Sequence, residues 1–128
     1  MDFARSNFEL CPRYSAMQKL IPIILLFMGE SLAIYSEIIA AKNVSTFAAT
    51  FWKMVGVMTL AGLLLIAGYM FGIKYLNNIW IVGVVSIASI IIMEPLITYS
   101  LFHELPSKGA LIGLILGILG LLSALFIK

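Results

Sequence analysis

Three glutamates lie inside apolar stretches of the sequence, where an ionisable side chain is costly and therefore informative. Glu30 and Glu37 are seven residues apart, nearly two helical turns, so both point from one face of one helix. Glu94 lies in a separate apolar stretch, directly before Pro95. Each such group at membrane depth costs on the order of 2.5–3.5 kcal/mol and is typical of ion or proton pathways. Glu30, Glu37 and Glu94 are therefore the candidate substrate- and proton-binding residues.

The depth of each glutamate follows from its distance to the nearest predicted loop. Glu37 lies four residues before that loop, Glu94 seven and Glu30 eleven, so all three fall in the same half of the membrane. Lys53 lies four residues into the neighbouring helix, at the level of Glu37. We therefore predict a structural ion pair between Glu37 and Lys53, with snorkelling of Lys53 to the interface as the alternative.

Glu30 has no cation at its own depth. Desolvation of a carboxyl group without a partner favours its neutral form, so Glu30 is expected to exchange a proton or to bind a cationic substrate instead. This is the chemistry of a proton-coupled cation exporter. The structural alternative is a protonated Glu30 that is hydrogen-bonded to a neighbouring Ser or Thr.

Pro95 follows Glu94 inside the third apolar stretch. Proline lacks the amide that would bond the carbonyl of Ile91, and it tends to kink a helix. The freed carbonyl and Glu94 are expected to face one cavity, or the kink serves packing alone.

The composition fits these membrane assignments. Of 128 residues, 62% are hydrophobic and 11% are charged, whereas about 25% are charged in a typical soluble domain. These values exclude an ordinary soluble domain, a disordered chain and a nucleic-acid-binding module. The single cysteine, Cys11, excludes a disulfide within the chain. No nucleophile–base pair, cofactor motif or metal-ligand spacing is present, so neither an enzyme, a cofactor nor a metal site is predicted.

Four apolar stretches are each close to the 20 residues that a helix needs to cross a bilayer. They predict an all-α membrane protein with helices over residues 20–41, 49–73, 80–101 and 110–127. Short linkers force neighbouring helices to run antiparallel, as an up-down bundle in one domain, residues 20–128. Residues 1–19 form a mixed polar arm, and Met17 resembles a natural start.

The distribution of basic residues predicts the orientation. Arg5, Arg13, Lys19, Lys74 and Lys128 lie on the side of the termini, against Lys42, Lys53 and Lys108 on the other. This excess favours cytoplasmic termini in a plasma membrane, most simply a bacterial inner membrane. Without the two arginines the counts are equal, which would permit insertion in both directions and an antiparallel homodimer.

The fourth apolar stretch contains regularly spaced glycines. Gly109, Gly113 and Gly117 recur every four residues, and Gly120 follows, which is typical of a face for close helix packing or dimerisation.

The end of the chain, LFHELPSKGALIGLILGILGLLSALF, resembles the small multidrug resistance family of the drug/metabolite transporter superfamily. Phe102 and Glu104 match its pattern of an aromatic residue and an acid before a short turn and a glycine-spaced helix, although His103 replaces a small residue. The resemblance places Gly113 and Gly120 on the glycines of that family's dimer-forming helix. It places Glu30 on the family's membrane carboxylate, where protons and cationic substrates compete.

The middle of the chain departs from that family. Its third-helix motif is absent, and Glu37 and Glu94 are additional acids. Two alternatives to cation export therefore stay open. One is a subunit of a flippase for sugars linked to polyprenyl phosphate, similar to other small members of the superfamily. The other is a non-transporting assembly subunit of a larger complex. The expected partners are membrane lipids, a second copy or a paralogous subunit, and a small cation.

Overall fold

The structure is a computed structural model that describes residues 16–127. Four α-helices make up almost all of this part: α1, Ala16–Lys42; α2, Phe47–Leu76; α3, Ile79–Phe102; and α4, Lys108–Phe126. A short 3-10 turn, Val44–Thr46, joins α1 to α2. Each helix is long and apolar enough to cross a membrane. The prediction of an all-α integral membrane protein with four helices is therefore confirmed.

The helices extend beyond the predicted bounds at most of their ends. α1 begins at Ala16, so residues 16–19 of the predicted polar arm are helical. α2 begins at Phe47 rather than at residue 49, because the linker before it tightens into the 3-10 turn. The rest of the arm, with Arg5, Cys11 and Arg13, lies outside the described residues, as does Lys128.

Local side chains and backbone conformations set the helix ends in the two later connections. Asn78 accepts a hydrogen bond from the amide of Trp80 at the start of α3, and Ser107 does the same for Ala110 at the start of α4. Asn77 and His103 end the preceding helices with φ values of 54° and 56°. This left-handed conformation lets each amide bond the carbonyl four residues earlier and stops the helix.

The main packing contact of the bundle joins α1 and α2 through two leucines and two glycines. A Cβ added to Gly68 would lie 2.9 Å from Leu26 Cγ and 3.2 Å from the backbone nitrogen of Leu26. A Cβ added to Gly29 would lie 2.8 Å from Leu65 Cγ. Each leucine thus fills the space that a glycine leaves on the opposite helix, which allows the two backbones to approach closely.

Helix α3 packs against the α1–α2 pair, and α4 packs against α3. Val82 is fully buried, and its Cγ2 lies where a Cβ on Gly72 of α2 would meet it, at 2.7 Å. By contrast, no residue of α4 is buried. The small core therefore belongs to the first three helices, and its buried apolar members are Leu26, Ala33, Ile34, Ala61 and Val82.

Candidate functional site

Glu30 is a buried acid at the contact between α1 and α3. Its side chain is only 9% exposed, and the Ser86 hydroxyl donates a hydrogen bond to Glu30 Oε1. Gly29 and Ala33 flank Glu30 on the buried side of α1, so the helix is slim at this level. Glu30 therefore has the kind of partner that the structural alternative foresaw, a serine hydroxyl.

Ser86 differs from most other hydroxyl residues of the bundle. Ser31, Thr59, Ser89 and Ser100 each bond the carbonyl four residues earlier in their own helix. Ser36 bonds the carbonyl of Ala33. Ser86 instead donates to another helix, because it lies with Val82 and Ser89 on the buried face of α3. Its hydrogen bond is thus a tertiary contact, directed at the most deeply buried acid.

Three carboxylates line one cavity between α1 and α3. This space, the inner cavity, has a volume of about 180 Å³. Its walls are formed by Glu30, Ala33, Ile34, Glu37, Ile38, Ile90 and Glu94. The structure thus brings together all three predicted site residues, although Glu37 and Glu94 are exposed whereas Glu30 is buried.

The inner cavity is strongly biased toward positive ligands. Its lining contains three acids and no lysine, arginine or histidine. Negative charges around one small space repel each other, and a proton or cation among them relieves that repulsion. With about 30 Å³ for each water molecule, the cavity has room for roughly six waters or a small organic cation.

The arrangement of the acids bears on the type of cation. Among residues 16–127, no three side chains of the His, Cys, Asp or Glu types are grouped closely enough to hold a metal ion. Glu30, Glu37 and Glu94 therefore surround a space rather than converge on one point. The volume of that space, about 180 Å³, is large enough for a cation of several atoms.

The described side chains of Glu37 and Lys53 are both exposed, and they form no ion pair with each other. Lys53 is also absent from the lining of the inner cavity. The structure therefore does not show the predicted Glu37–Lys53 pair, which stays a prediction, and the exposure of Lys53 agrees with the alternative of snorkelling.

Lys42 makes a contact that the sequence did not reveal. Its Nζ donates a 2.7 Å hydrogen bond to the carbonyl oxygen of Leu101 and lies 5.8 Å from the ring centroid of Phe102. This hydrogen bond connects the end of α1 to the end of α3. Both ends lie on the loop side of the bundle, which is the side closer to the inner cavity.

A second cavity, the outer cavity, lies between α3 and α4 and measures about 410 Å³. Glu94 lines both cavities, and Glu104 lines the outer one. Gly113 and Gly117 form part of its α4 wall. A Cβ added to Gly117 would lie 3.5 Å from Ile91, whereas one added to Gly109, Gly113 or Gly120 would meet no heavy atom within 4 Å. The predicted packing role of these four glycines thus stays a prediction for an assembled state.

Pro95 lies within α3, which is helical from Ile79 through Phe102. Pro95 and Ile91 both line the outer cavity, so the place where the proline interrupts the hydrogen-bond ladder borders that space. The predicted kink remains a prediction.

Sequence reasoning missed Ser86 and Lys42, and it did not indicate the α4 wall of the cavity that it expected beside Glu94. A serine in the middle of an apolar stretch was a usable signal for Ser86, since polar residues in membrane helices often bond across helices. Lys42 gave no comparable signal, because its partner is a backbone carbonyl that lies 59 positions away.

Comparison of the chain with models of protein families, with curated proteins and with solved structures finds no match. The resemblance to the small multidrug resistance family therefore stays an expectation from the sequence. The buried carboxylate of Glu30 and the inner cavity around it are the features that bear on function.

Proposed function

We propose that the protein is a small proton-coupled transporter that exports guanidinium-like or hydrophobic cations by exchange at Glu30. The observation that carries this proposal is the position of Glu30, which is buried on a cavity with two further carboxylates and no basic side chain. A proton and a cation would compete for the same carboxylate, so binding of one releases the other. Competition of this kind couples the two fluxes.

Ser86 supports this exchange chemistry. Its hydroxyl can donate to an ionised carboxylate and can rotate to accept from a protonated one. Glu30 therefore keeps a partner in both states of the cycle. Glu37 and Glu94 are exposed on the same cavity, and they provide steps for protons or cations between Glu30 and the loop side of the membrane.

The proposed active form is a dimer in which each chain is an antiparallel up-down bundle, either a homodimer or a pair with a paralogous subunit. The inner cavity is smaller than the roughly 300–1,000 Å³ of ordinary ligand sites. A second copy would enlarge it by placing two Glu30 residues near a shared site, as in transporters with inverted repeats. The exposed α4 is a surface on which such a copy can pack. Cytoplasmic termini in a bacterial inner membrane complete this proposal.

One observation favours a second candidate, a non-transporting assembly subunit. Helix α4 has no buried residue, so a larger membrane partner would also explain its exposed apolar surface. In that case, Glu30→Gln would be tolerated. A polyprenyl-phosphate flippase is less well supported, because three acids around one cavity repel an anionic ligand.

Proton release on cation binding tests the exporter. Purified protein in weakly buffered detergent is titrated with guanidinium between pH 6 and 9, and the released protons are counted. Urea, which has a similar planar shape and no charge, serves as the matched ligand control. We expect release with guanidinium, none with urea, and none from Glu30→Gln. Equal release from Glu30→Gln, or no binding and no release from the wild type, would contradict exchange at Glu30.

A further inference from the structure

The outer cavity has the dimensions of a small-molecule site. At about 410 Å³ it falls within the usual range for ligand pockets, whereas the inner cavity does not. Glycine supplies the space on the α4 side, since a Cβ on Gly113 would have no heavy atom within 4 Å. The cavity reaches from Glu104 in the α3–α4 connection to Gly117, nine residues into α4 and about 14 Å along its axis.

The charged part of this cavity favours a cation. Glu94 and Glu104 are its ionisable acids, and no lysine, arginine or histidine lines it. Tyr99 also lines the cavity. Carboxylates beside an aromatic ring are the combination that binds organic ammonium groups, because the ring face also attracts a cation.

Apolar residues complete the lining of the cavity. Leu114 and Gly117 line it on the α4 side, and Ile91 lines it on the α3 side. Because α4 has no buried residue, the cavity lies at the edge of the bundle, beside apolar surface that no other helix covers. A ligand with an apolar chain can therefore enter from the lipid. A phospholipid suits the site poorly, since its phosphate would lie against two carboxylates.

We propose that the outer cavity is a second binding site for a single-chain amphiphilic ammonium ion, with the ammonium group at Glu94 and Glu104 and the chain along Gly113 and Gly117. This site goes beyond the exchange at Glu30, and it does not require Glu30 to bind cations. Since Glu94 also lines the inner cavity, a cation in the outer site lies next to the inner one.

Native mass spectrometry of the full chain, released from detergent and titrated with decyltrimethylammonium, tests this site. Gly113→Leu adds a side chain at the cavity wall, where a Cβ meets no heavy atom within 4 Å. Gly120→Leu is its matched control, because a Cβ on Gly120 is equally free and Gly120 does not line the cavity. The same spectra report the oligomeric state of each variant. Glu30→Gln separates this site from the proposed exchange.

We expect the outer site to bind one ammonium ion per chain in wild type, Gly120→Leu and Glu30→Gln, with affinities that agree within about twofold. Any further ion that the wild type binds at Glu30 should be absent from Glu30→Gln. We expect Gly113→Leu to bind at least tenfold more weakly and Glu104→Gln about threefold more weakly. Equal binding by Gly113→Leu and Gly120→Leu would overturn the proposal. Equal competition by uncharged decyl maltoside would also overturn it, because the cavity would then hold an alkyl chain without recognising its charge. Loss of binding in Glu30→Gln alone would assign the cation to the inner cavity instead.

Discussion

The hydroxyl of Ser86 on α3 donates a hydrogen bond to the carboxylate of Glu30 on α1, across the contact between two membrane-spanning helices. Ser86 and Glu30 are 4% and 9% exposed, so neither side chain has ready access to solvent in the described chain. A buried carboxylate that loses a hydrogen-bond donor loses part of the stabilisation of its charged form. The Ser86 hydroxyl is therefore a positioning group for the proposed exchange site.

Ser86→Ala is expected to weaken guanidinium binding by at least about tenfold, since a hydrogen bond to a charged group contributes roughly 1.5–3 kcal/mol. Ser89→Ala is the matched control, because Ser89 is equally buried on α3 but bonds the carbonyl of Val85 in its own helix. Ser86→Thr keeps the hydroxyl and should restore most of the affinity. Isothermal titration with guanidinium measures all three variants. A similar loss in Ser86→Ala and Ser89→Ala would point to general packing instead.

Gly68→Ala is expected to destabilise the bundle by about 1–3 kcal/mol, the usual cost of overpacking. The added Cβ would meet Leu26, which is fully buried and has no space to move into. Gly62→Ala on the same helix should be neutral or should stabilise by up to about 1 kcal/mol, because its Cβ meets nothing and alanine favours the helix. Denaturation with sodium dodecyl sulfate, followed by circular dichroism, compares the two variants. If both behaved alike, the close contact of α1 and α2 at Leu26 would be refuted.

Lys42→Met is expected to loosen the end of α3, because the lysine stabilises the helix C-terminus through the carbonyl of Leu101. A cation at a helix C-terminus contributes about 0.3–1 kcal/mol, which corresponds to roughly two- to fivefold faster exchange of local amides. The His103 amide, which bonds the carbonyl of Tyr99, is the best reporter for hydrogen exchange.

Lys53→Met is the control for Lys42→Met and should leave this amide unchanged. If Lys53→Met and Glu37→Gln instead lowered global stability by equal amounts, that result would support the Glu37–Lys53 pair predicted from the sequence. If Lys42→Met did not change the exchange rate of the His103 amide, the hydrogen bond from Lys42 to Leu101 would not stabilise the end of α3.

Leu116→Cys is expected to form disulfide-linked dimers in membranes, because α4 offers the surface on which we propose that a second copy packs. The matched control is Leu63→Cys near the middle of α2, since the two leucines are 62% and 61% exposed. Cys11→Ser removes the native cysteine in both cases. Non-reducing gel electrophoresis after mild oxidation counts the dimers. Equal cross-linking at both positions, or none at Leu116→Cys, would contradict a dimer formed through α4.

Hydrophobic run length was enough to predict the number of helices and the membrane class. Counting from the loops placed Glu30, Glu37 and Glu94 in one half of the membrane, and the structure puts them on one cavity. A count of this kind rests on the fixed rise of 1.5 Å for every residue of a helix.

Contacts between helices were harder to predict than depth. A count of residues gives the depth of a side chain along the helix axis but not the rotation of the helix about that axis. It therefore did not indicate which serine faces Glu30. The pairing of Leu26 with Gly68 and of Leu65 with Gly29 depends on the shapes of two helix surfaces together. The sequence of α2 alone does not distinguish its glycines. In the structure, a Cβ on Gly62 would meet no heavy atom, whereas a Cβ on Gly68 would meet Leu26.

The attachment of α4 to α3 has a consequence for how the protein is made. Helices leave the ribosome and enter the membrane in chain order. The buried residues of the bundle all lie on α1, α2 and α3, so these three can reach their final packing before α4 is synthesised. During that interval Glu30 already has its serine partner, whereas the outer cavity still lacks one wall. The inner cavity thus needs no residue of α4, whereas the outer cavity forms only when the last helix is inserted.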